Sequence, residues 1–225
     1  MTFSGIIFDF NGVLWLDGQL QERSWKQFAA QVWDVSLSDE QMAVHVHGRT
    51  NQHSFEVLAG RVIEGEELEQ LTDQKETIYR RLCLEQGTGF RLSPGAVELL
   101  DFLVTYRIAR TIATSSAKVN VDFFVEHLSL GRWFDVKQIV YDDGRRPGKP
   151  ASDIYLQAAR NLGLEPARCV VIEDSQSGIQ AAHAAGIGHV IALGRADVHP
   201  QLLRLQGIDR VVESLDQIPK EELFL

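Results

Sequence analysis

The chain has 225 residues and a formal net charge of -9, and 44% of its residues are hydrophobic. This size and composition fit one large globular domain, or a core domain that carries a smaller insertion. The acidic balance argues against nucleic acid or an anionic membrane surface as a partner, and no apolar run approaches the roughly 18 residues of a membrane span.

The first predicted element is a short buried strand over residues 6–8, which ends in a carboxylate at Asp9. Gly12 follows three residues after Asp9 and allows a sharp turn. In open α/β sheets, ligands bind at this carboxyl edge of the strands. Asn11 lies between the two residues, and its amide has the shape of a carboxyl group but cannot exchange a proton at neutral pH.

The next seventy residues have a helical pattern. Apolar residues recur at three- and four-residue spacing over 21–32, 38–45, 54–63 and 66–84, with charged residues between them. Ser38 is a plausible helix cap. We therefore predict a helical cap over residues 16–86, inserted into a core formed by residues 1–15 and 87–225.

From residue 87 onward, helices and strands alternate. Strands are predicted over 108–114, 138–141, 169–172, 189–193 and 210–212, with helices over 95–106 and 119–128 and further helices that begin at Ser152 and Ser175. Repeated strand–helix units predict a Rossmann-like α/β fold, with a doubly wound parallel sheet, right-handed crossovers and helices on both faces.

The beginning of the chain and its cysteines suggest a cellular compartment. Polar Thr2 is followed almost directly by the first strand, so we expect no signal peptide. Cys83 and Cys169 are far apart and lack C-x-x-C spacing, which suggests neither a disulfide framework nor a thiolate zinc site. We expect a cytoplasmic protein that is a monomer or a weak dimer.

Four predicted strands are followed by polar groups at a common edge of the sheet. These groups are Asp9 with Asn11, Thr114 with Ser115, Lys149, and Glu173 with Asp174. Each is ordinary when taken alone, since such residues often cap helices or lie in solvated loops. Together they supply a nucleophilic carboxylate, hydroxyl and amide donors, a cation and further carboxylates for a divalent metal, which phosphoryl transfer requires.

Four segments carrying these residues resemble, in order, the four sequence motifs of the haloacid dehalogenase superfamily. They are Asp9-Phe-Asn-Gly-Val, the strand ending in Thr114-Ser115, Gly148-Lys149-Pro150 with Asp153-Ile-Tyr, and Ile172-Glu-Asp-Ser-Gln-Ser-Gly-Ile. The last motif and the position of the helical cap are most similar to those of beta-phosphoglucomutase-like phosphatases and mutases.

The resemblance implies that Asp9 attacks phosphorus and forms an aspartyl-phosphate, which is then passed to water or to a sugar hydroxyl. It further implies Mg²⁺ as cofactor, with four candidate ligands: Asp9, the backbone carbonyl of Asn11, Glu173 and Asp174. Catalysis and phosphate binding would involve Gly12, Thr114, Ser115, Ser116 and Lys149. Arg49 on the cap is either a further ligand of a substrate anion or a solvated arginine at a helix start.

Asn11 departs from the family pattern, because this position is ordinarily an Asp that acts as general acid and base. Loss of such a group typically costs about 10²–10⁴ in rate. Four explanations are compatible with Asn11: a leaving group that needs no proton, a proton supplied by another group, an Asp→Asn change introduced by engineering, or a protein that binds without catalysing.

Three other branches of the superfamily fit less well. The phosphonate-cleaving branch uses a cap lysine, but the matching segment His47-Gly48-Arg49-Thr50-Asn51 has Asn51 at that place, and Lys26 lies outside it. The dehalogenase branch works without metal, whereas the pattern Glu173-Asp174-Ser175 resembles the magnesium-dependent phosphatases. Mutases usually carry a cap His four residues before a Trp, and Gln21 is found at that place before Trp25.

The sequence therefore predicts a Mg²⁺-dependent phosphatase of a small phosphorylated metabolite, with the cap determining the substrate. Neither nucleic acid nor a membrane is expected as a partner. Two alternatives remain: a catalytically impaired or silent member that binds a phosphometabolite or a protein, and a sugar-phosphate mutase.

Overall fold

The computed structural model describes residues 2–46 and 49–225. Six strands form one parallel sheet in the order β3-β2-β1-β4-β5-β6. Their bounds are Gly5–Phe8 (β1), Ala109–Ala117 (β2), Val140–Asp142 (β3), Cys169–Glu173 (β4), His189–Leu193 (β5) and Arg210–Val212 (β6). The predicted parallel α/β sheet is thereby confirmed. β2 and β3 lie on one side of β1, and β4, β5 and β6 lie on the other. The carboxyl end of β1 is therefore at the switch point where such sheets bind ligands.

Among the described residues, four α-helices lie between β1 and β2 in the order of the chain: α1 (Gly18–Trp33), α2 (Asp39–His45), α3 (Asn51–Ala59) and α4 (Gly65–Leu84). Six more follow: α5 (Ala96–Thr105), α6 (Lys118–His127), α7 (Asp153–Leu162), α8 (Gln176–Ala184), α9 (His199–Leu202) and α10 (Lys220–Phe224). The described part of residues 16–86 contains helices and no strand. We keep the name cap for this interval, and its independence as a domain remains a prediction.

The sheet is buried on both faces, as its apolar strands predict. Ile6 and Phe8 point into one apolar cluster, which includes Phe124 of α6. Ile7, with the opposite orientation, packs with Tyr155 of α7 and Ile179 of α8. This two-sided packing fixes β1 and therefore the position of Asp9 directly after it.

The two connections between the cap and the core lie side by side. The Ser93 amide donates to the carbonyl of Leu14 at 2.9 Å, and the Ser93 hydroxyl donates to the carbonyl of Val13 at 2.6 Å. The chain thus leaves the core and returns to it at one place, beside the carboxyl end of β1.

The cap has its own apolar cluster, which includes Trp25, Phe28 and Phe55. We expect Phe55→Ala to lower the free energy of unfolding by about 3–5 kcal/mol, because it removes a large side chain from close packing. Phe55 is fully buried, and its ring centroid lies 5.3 Å from those of both Trp25 and Phe28. Urea denaturation measures the loss. The matched change Val62→Ala, at a side chain 68% exposed, should alter stability by no more than about 0.5 kcal/mol, and a similarly small effect at Phe55 would contradict the prediction.

Several predicted element bounds were wrong. α3 begins at Asn51 rather than at residue 54, because the Thr50 hydroxyl caps it by accepting from the His53 amide, and it ends before Gly60. β3 begins at Val140, after a short 3-10 turn that includes Gln138. Ser152 precedes α7 but makes no capping hydrogen bond with its side chain.

Other local predictions were confirmed, and two short helices were missed. Ser38 and Ser175 both accept hydrogen bonds from helix amides as N-caps. The helices α9 and α10 span only four and five residues, too few to give a clear helical period. Within the described ranges, no helix combines the length and the apolar character needed to cross a membrane.

Candidate active site

A cavity of about 660 Å³ lies between the carboxyl edge of the sheet and the cap. It brings together most of the residues that the motifs singled out. The predicted site residues that line it are Asp9, Asn11, Gly12, Arg49, Thr114, Ser115, Ser116, Lys149 and Asp174. Glu173 is completely buried beneath this surface.

Asp9 and Lys149 form a buried ion pair at the floor of the cavity. The Lys149 ammonium donates to Asp9 Oδ1 at 2.6 Å and also to Glu173 Oε1. Burial raises the pKa of Asp9 to about 7, against the opposing effect of Lys149. Burial alone would lower the pKa of Lys149, but the two carboxylates outweigh it and raise that pKa. The lysine is therefore a fixed cation directly beside the Asp9 carboxylate.

Three carboxylates at this floor form a set of oxygen donors. Asp9, Glu173 and Asp174 each offer an oxygen, and these atoms all lie within 4.8 Å of one another. Burial, followed by the charges of Glu173 and Asp9, raises the pKa of Asp174 well above its usual value. A divalent cation would relieve this crowding of negative charge, and hard oxygen ligands are those that Mg²⁺ prefers.

Gly12 allows the backbone after β1 to approach Asp174 closely. Its φ is +81°, and a Cβ at this position would lie only 1.9 Å from Asp174 Oδ2. Any other residue would therefore collide with the carboxylate and would also strain the backbone. The turn that carries Asn11 therefore lies against the carboxylate oxygens of this site. This arrangement of oxygen donors fits the Mg²⁺ ion that the sequence motifs predict.

The oxygens of Glu173 have protein partners. Oε1 accepts from Lys149 and from the Tyr155 hydroxyl at 2.8 Å, and Oε2 accepts from the amides of Asp174 and Ser175 at 3.0 and 2.9 Å. These bonds favour a role in orienting Lys149 and the turn into α8. Direct coordination of a metal by Glu173 remains a prediction.

The sequence predicted that the second strand ends at Thr114, but β2 continues to Ala117. The pairing of β2 with β3 is irregular between Ala113 and Ala117, so this end of the strand leaves the regular ladder. Buried Thr114 accepts from the Ser116 amide at 3.1 Å and lines the cavity with Ser115.

Arg49 lies at the same end of the cavity as Lys149. Its Nη1 donates to the Lys149 carbonyl oxygen at 3.4 Å, which brings a cap guanidinium beside the floor of the cavity. Of the segment compared with the phosphonate-cleaving branch, His47 and Gly48 lie outside the described residues. Asn51 begins α3, and Lys26 forms an ion pair with Asp39 at 2.7 Å.

Both sides of the Asn11 amide are engaged. Its Nδ2 donates to Asp17 Oδ2 at 2.7 Å and to the Tyr79 hydroxyl at 3.2 Å, while its Oδ1 accepts from the Ser116 hydroxyl at 2.6 Å. An amide fits this place because it donates on one side and accepts on the other. Asn11 thereby connects the core to two parts of the cap.

Asp17 is a site residue that the sequence analysis missed. It is buried in the cavity wall and accepts hydrogen bonds from Tyr79 at 2.5 Å, Gln21 at 3.0 Å and the Gly12 amide at 3.2 Å, besides the bond from Asn11. Burial raises its pKa. An Asp before a helix is typical of an N-cap, yet the Asp17 side chain accepts no capping hydrogen bond from a backbone amide of α1. Nothing in the local sequence signalled that it turns into the site.

Comparisons with known proteins find relatives that match nearly the whole chain. Hexitol phosphatase A from Escherichia coli is 29% identical over 220 residues, covering 97% of this chain and 94% of that protein. Beta-phosphoglucomutase from Bacillus subtilis is 29% identical over 224 residues, covering 97% and 92%. The crystal structure of a HAD hydrolase of family IA, variant 3, from Entamoeba histolytica has a TM-score of 0.87 and 33% identity, with 99% and 97% covered.

A family model described as haloacid dehalogenase-like hydrolase matches residues 3–186, which include the whole cap and all the predicted strand-end residues. The resemblance of the four motifs is thereby confirmed. The chain belongs to the haloacid dehalogenase-like hydrolase family.

Proposed function

We propose that this protein is a Mg²⁺-dependent phosphatase of a small phosphorylated metabolite, with Asp9 as the nucleophile. The observation that carries the proposal is the position of Asp9. Its carboxylate follows the central strand, faces the cavity, lies 2.6 Å from the Lys149 ammonium and belongs to a set of oxygen donors with Asp174. The relatedness to a hexitol phosphatase supports the substrate class.

Asp9 would hold the metal together with Asp174 and the backbone carbonyl of Asn11. When bound, Mg²⁺ supplies positive charge that stabilises the charge developing on the transferring phosphoryl group. Lys149 supplies a second, fixed charge without any rearrangement, because Asp9 and Glu173 already orient it. Thr114 and the amides near it would bind the remaining phosphoryl oxygens.

The reaction proceeds in two displacements. In the first, an Asp9 oxygen forms a bond to phosphorus while the ester bond to the leaving group breaks. In the second, water attacks phosphorus, the aspartyl bond breaks and inorganic phosphate leaves. The leaving oxygen must gain a proton and the attacking water must lose one, and the Asn11 amide can do neither. We therefore expect faster turnover of compounds whose leaving group needs no proton.

A phosphate-release assay with Mg²⁺ tests the proposal. The panel contains acetyl phosphate, para-nitrophenyl phosphate and a set of phosphorylated polyols and sugars. We expect acetyl phosphate to be hydrolysed faster than the alkyl phosphates, and chelation by EDTA to abolish release. Absence of release from every compound would contradict a phosphatase.

A catalytically silent binding protein is the second candidate, and the engagement of both sides of the Asn11 amide favours it. In that case calorimetry would detect binding of a phosphorylated compound that the assay finds unhydrolysed. Formation of a sugar-phosphate isomer instead of inorganic phosphate would indicate a mutase.

A further inference from the structure

Tyr155 of α7 lies beneath the floor of the cavity, and the chemistry proposed above assigns it no role. Its side chain is fully buried. The hydroxyl donates to Glu173 Oε1 at 2.8 Å, and the centre of the ring lies 5.3 Å from the Lys149 ammonium. Tyr155 therefore contacts the lysine in two ways, directly through its ring and indirectly through the carboxylate that the lysine also binds.

The local backbone brings Tyr155 back to Lys149. The Ala151 amide donates to the Gly148 carbonyl oxygen at 3.0 Å, so the chain turns directly after the lysine. α7 begins shortly afterwards, and Tyr155 lies in its first turn. The ring also packs with Ile7 of β1. It therefore contacts both the central strand and the lysine, and this close packing limits its movement.

The Glu173 carboxylate has little freedom to move either. Its Oε2 accepts from two backbone amides in the turn into α8. A Cβ at Gly178 would collide with Oε1, so α8 leaves no space for the carboxylate to rotate on that side. Oε1 accepts from two side chains, Lys149 and Tyr155. The tyrosine hydroxyl is thus the neutral one of the two donors to this oxygen.

A neutral second donor affects where the ammonium lies. An ammonium group has three N–H donors, and among the described residues Lys149 donates to Asp9 Oδ1 and Glu173 Oε1. Without the tyrosine hydroxyl, the buried oxygen of Glu173 would depend on the lysine alone for hydrogen bonds, and the ammonium would be drawn towards it. With the hydroxyl present, the ammonium can stay beside Asp9, where the phosphoryl group would be transferred.

Resting on the phosphatase function proposed above, we propose that Tyr155 is a positioning residue for Lys149. Its hydroxyl fixes the Glu173 carboxylate, its ring lies near the ammonium, and together they keep the charge of Lys149 beside Asp9 during phosphoryl transfer. A fixed charge stabilises the transition state without rearrangement at the moment of reaction. The hydroxyl therefore contributes to kcat through the lysine, without contacting the substrate.

Tyr155→Phe removes the hydroxyl and keeps the ring. We expect kcat for acetyl phosphate to fall about five- to twentyfold while KM changes less than about twofold, because the loss affects the transition state. This is less than the roughly 10²–10³ lost with a stabilising donor itself, since the lysine remains. A metal-free crystal structure of the variant should show the Lys149 ammonium farther from Asp9 Oδ1 than the present 2.6 Å. An unchanged kcat or an unmoved ammonium overturns the proposal.

Thr111→Val is the matched control, because it removes another fully buried hydroxyl that donates at 2.8 Å, here to the Gln138 carbonyl oxygen. Both variants lose one buried hydrogen bond, so thermal unfolding should show similar losses of stability. Only Tyr155→Phe should lower kcat. A similar fall in kcat in both variants would attribute the effect to lost stability and would overturn the proposal.

A double-mutant cycle separates action through Lys149 from a general effect on the site. Its readout is the calorimetric affinity, with Mg²⁺ present, for orthovanadate, which resembles phosphate and can adopt five-coordinate geometry. We expect Tyr155→Phe to weaken vanadate binding about fivefold in the parent protein and to have no effect when Lys149→Met is already present, because two changes that act through one contact are not additive. Equal losses in both backgrounds would contradict a role through the lysine.

Failure of this proposal and failure of the phosphatase function give different results. Asp9-dependent release from acetyl phosphate that is unaffected by Tyr155→Phe would reject the positioning role and leave the phosphatase function standing. No release from any phosphate compound, together with a displaced Lys149 ammonium in the crystal structure of the variant, would reject the phosphatase function alone.

Discussion

Asp9→Asn should lower kcat for acetyl phosphate by about four orders of magnitude or more, as loss of a nucleophile does in other covalent mechanisms. The change keeps the size of the side chain, and the amide oxygen can still accept from Lys149, which now lies 2.6 Å from Oδ1. What disappears is the anionic oxygen that forms the bond to phosphorus. Release of inorganic phosphate in the presence of Mg²⁺ measures the effect.

Two further measurements make the Asp9 result specific. Thermal unfolding should show that Asp9→Asn protein remains folded. Asp73→Asn, at a cap carboxylate whose side chain is 73% exposed, should retain the activity of the parent protein. Residual turnover above about a hundredth of that activity would show that Asp9 is not the nucleophile.

An exchange of the carboxylate and the amide at positions 11 and 17 should raise kcat for alkyl phosphates by about 10²–10³-fold, within the usual range for a general acid–base group. The double variant Asn11→Asp/Asp17→Asn conserves both side-chain sizes and keeps one donor and one acceptor across the present 2.7 Å contact. It puts a carboxyl group where the family's acid ordinarily lies. Measurement of kcat with sorbitol 6-phosphate and with acetyl phosphate should show a gain mainly for the alkyl ester.

The single variants separate the two contributions. Asn11→Asp alone would bring two carboxyl groups to hydrogen-bond distance in a buried site, where they cannot readily both ionise. We therefore expect a smaller gain from it than from the double variant, and none from Asp17→Asn alone. If the double variant were no faster than the parent protein, position 11 would not limit turnover, and the silent binding protein would become the better explanation.

The meeting of polar side chains at the floor of the cavity could be predicted from the sequence, because the strands there have a strong local signal. Apolar runs buried on both faces identify parallel strands, and polar residues after them must meet at one edge. The sequence alone therefore predicts that Asp9, Lys149 and Asp174 lie together at one edge of the sheet. The capping serines at 38 and 175 were equally local features, set by a hydroxyl and the amides of the next turn.

The surroundings of Asn11 could not be predicted in the same way. Its partners Asp17, Tyr79 and Ser116 come from three separate parts of the chain, and their meeting depends on how the cap packs against the core. The same is true of the bond between Glu76 and Asn120, which joins α4 to α6. Periodicity reports which face of a helix is apolar, but it carries no information about which distant polar group lies opposite.

The paired connections at Leu14 and Ser93 have a consequence for modularity. The Ser93 amide donates to the Leu14 carbonyl at 2.9 Å, so the chain segments that precede and follow the inserted helices lie within hydrogen-bond distance of each other. A short turn could join Leu14 to Ser93 if the intervening helices were deleted. The helices between Leu14 and Ser93 are therefore suited to exchange for the helical insert of a relative. Such a chimera could have a different substrate preference while Asp9 and the rest of the core stay unchanged.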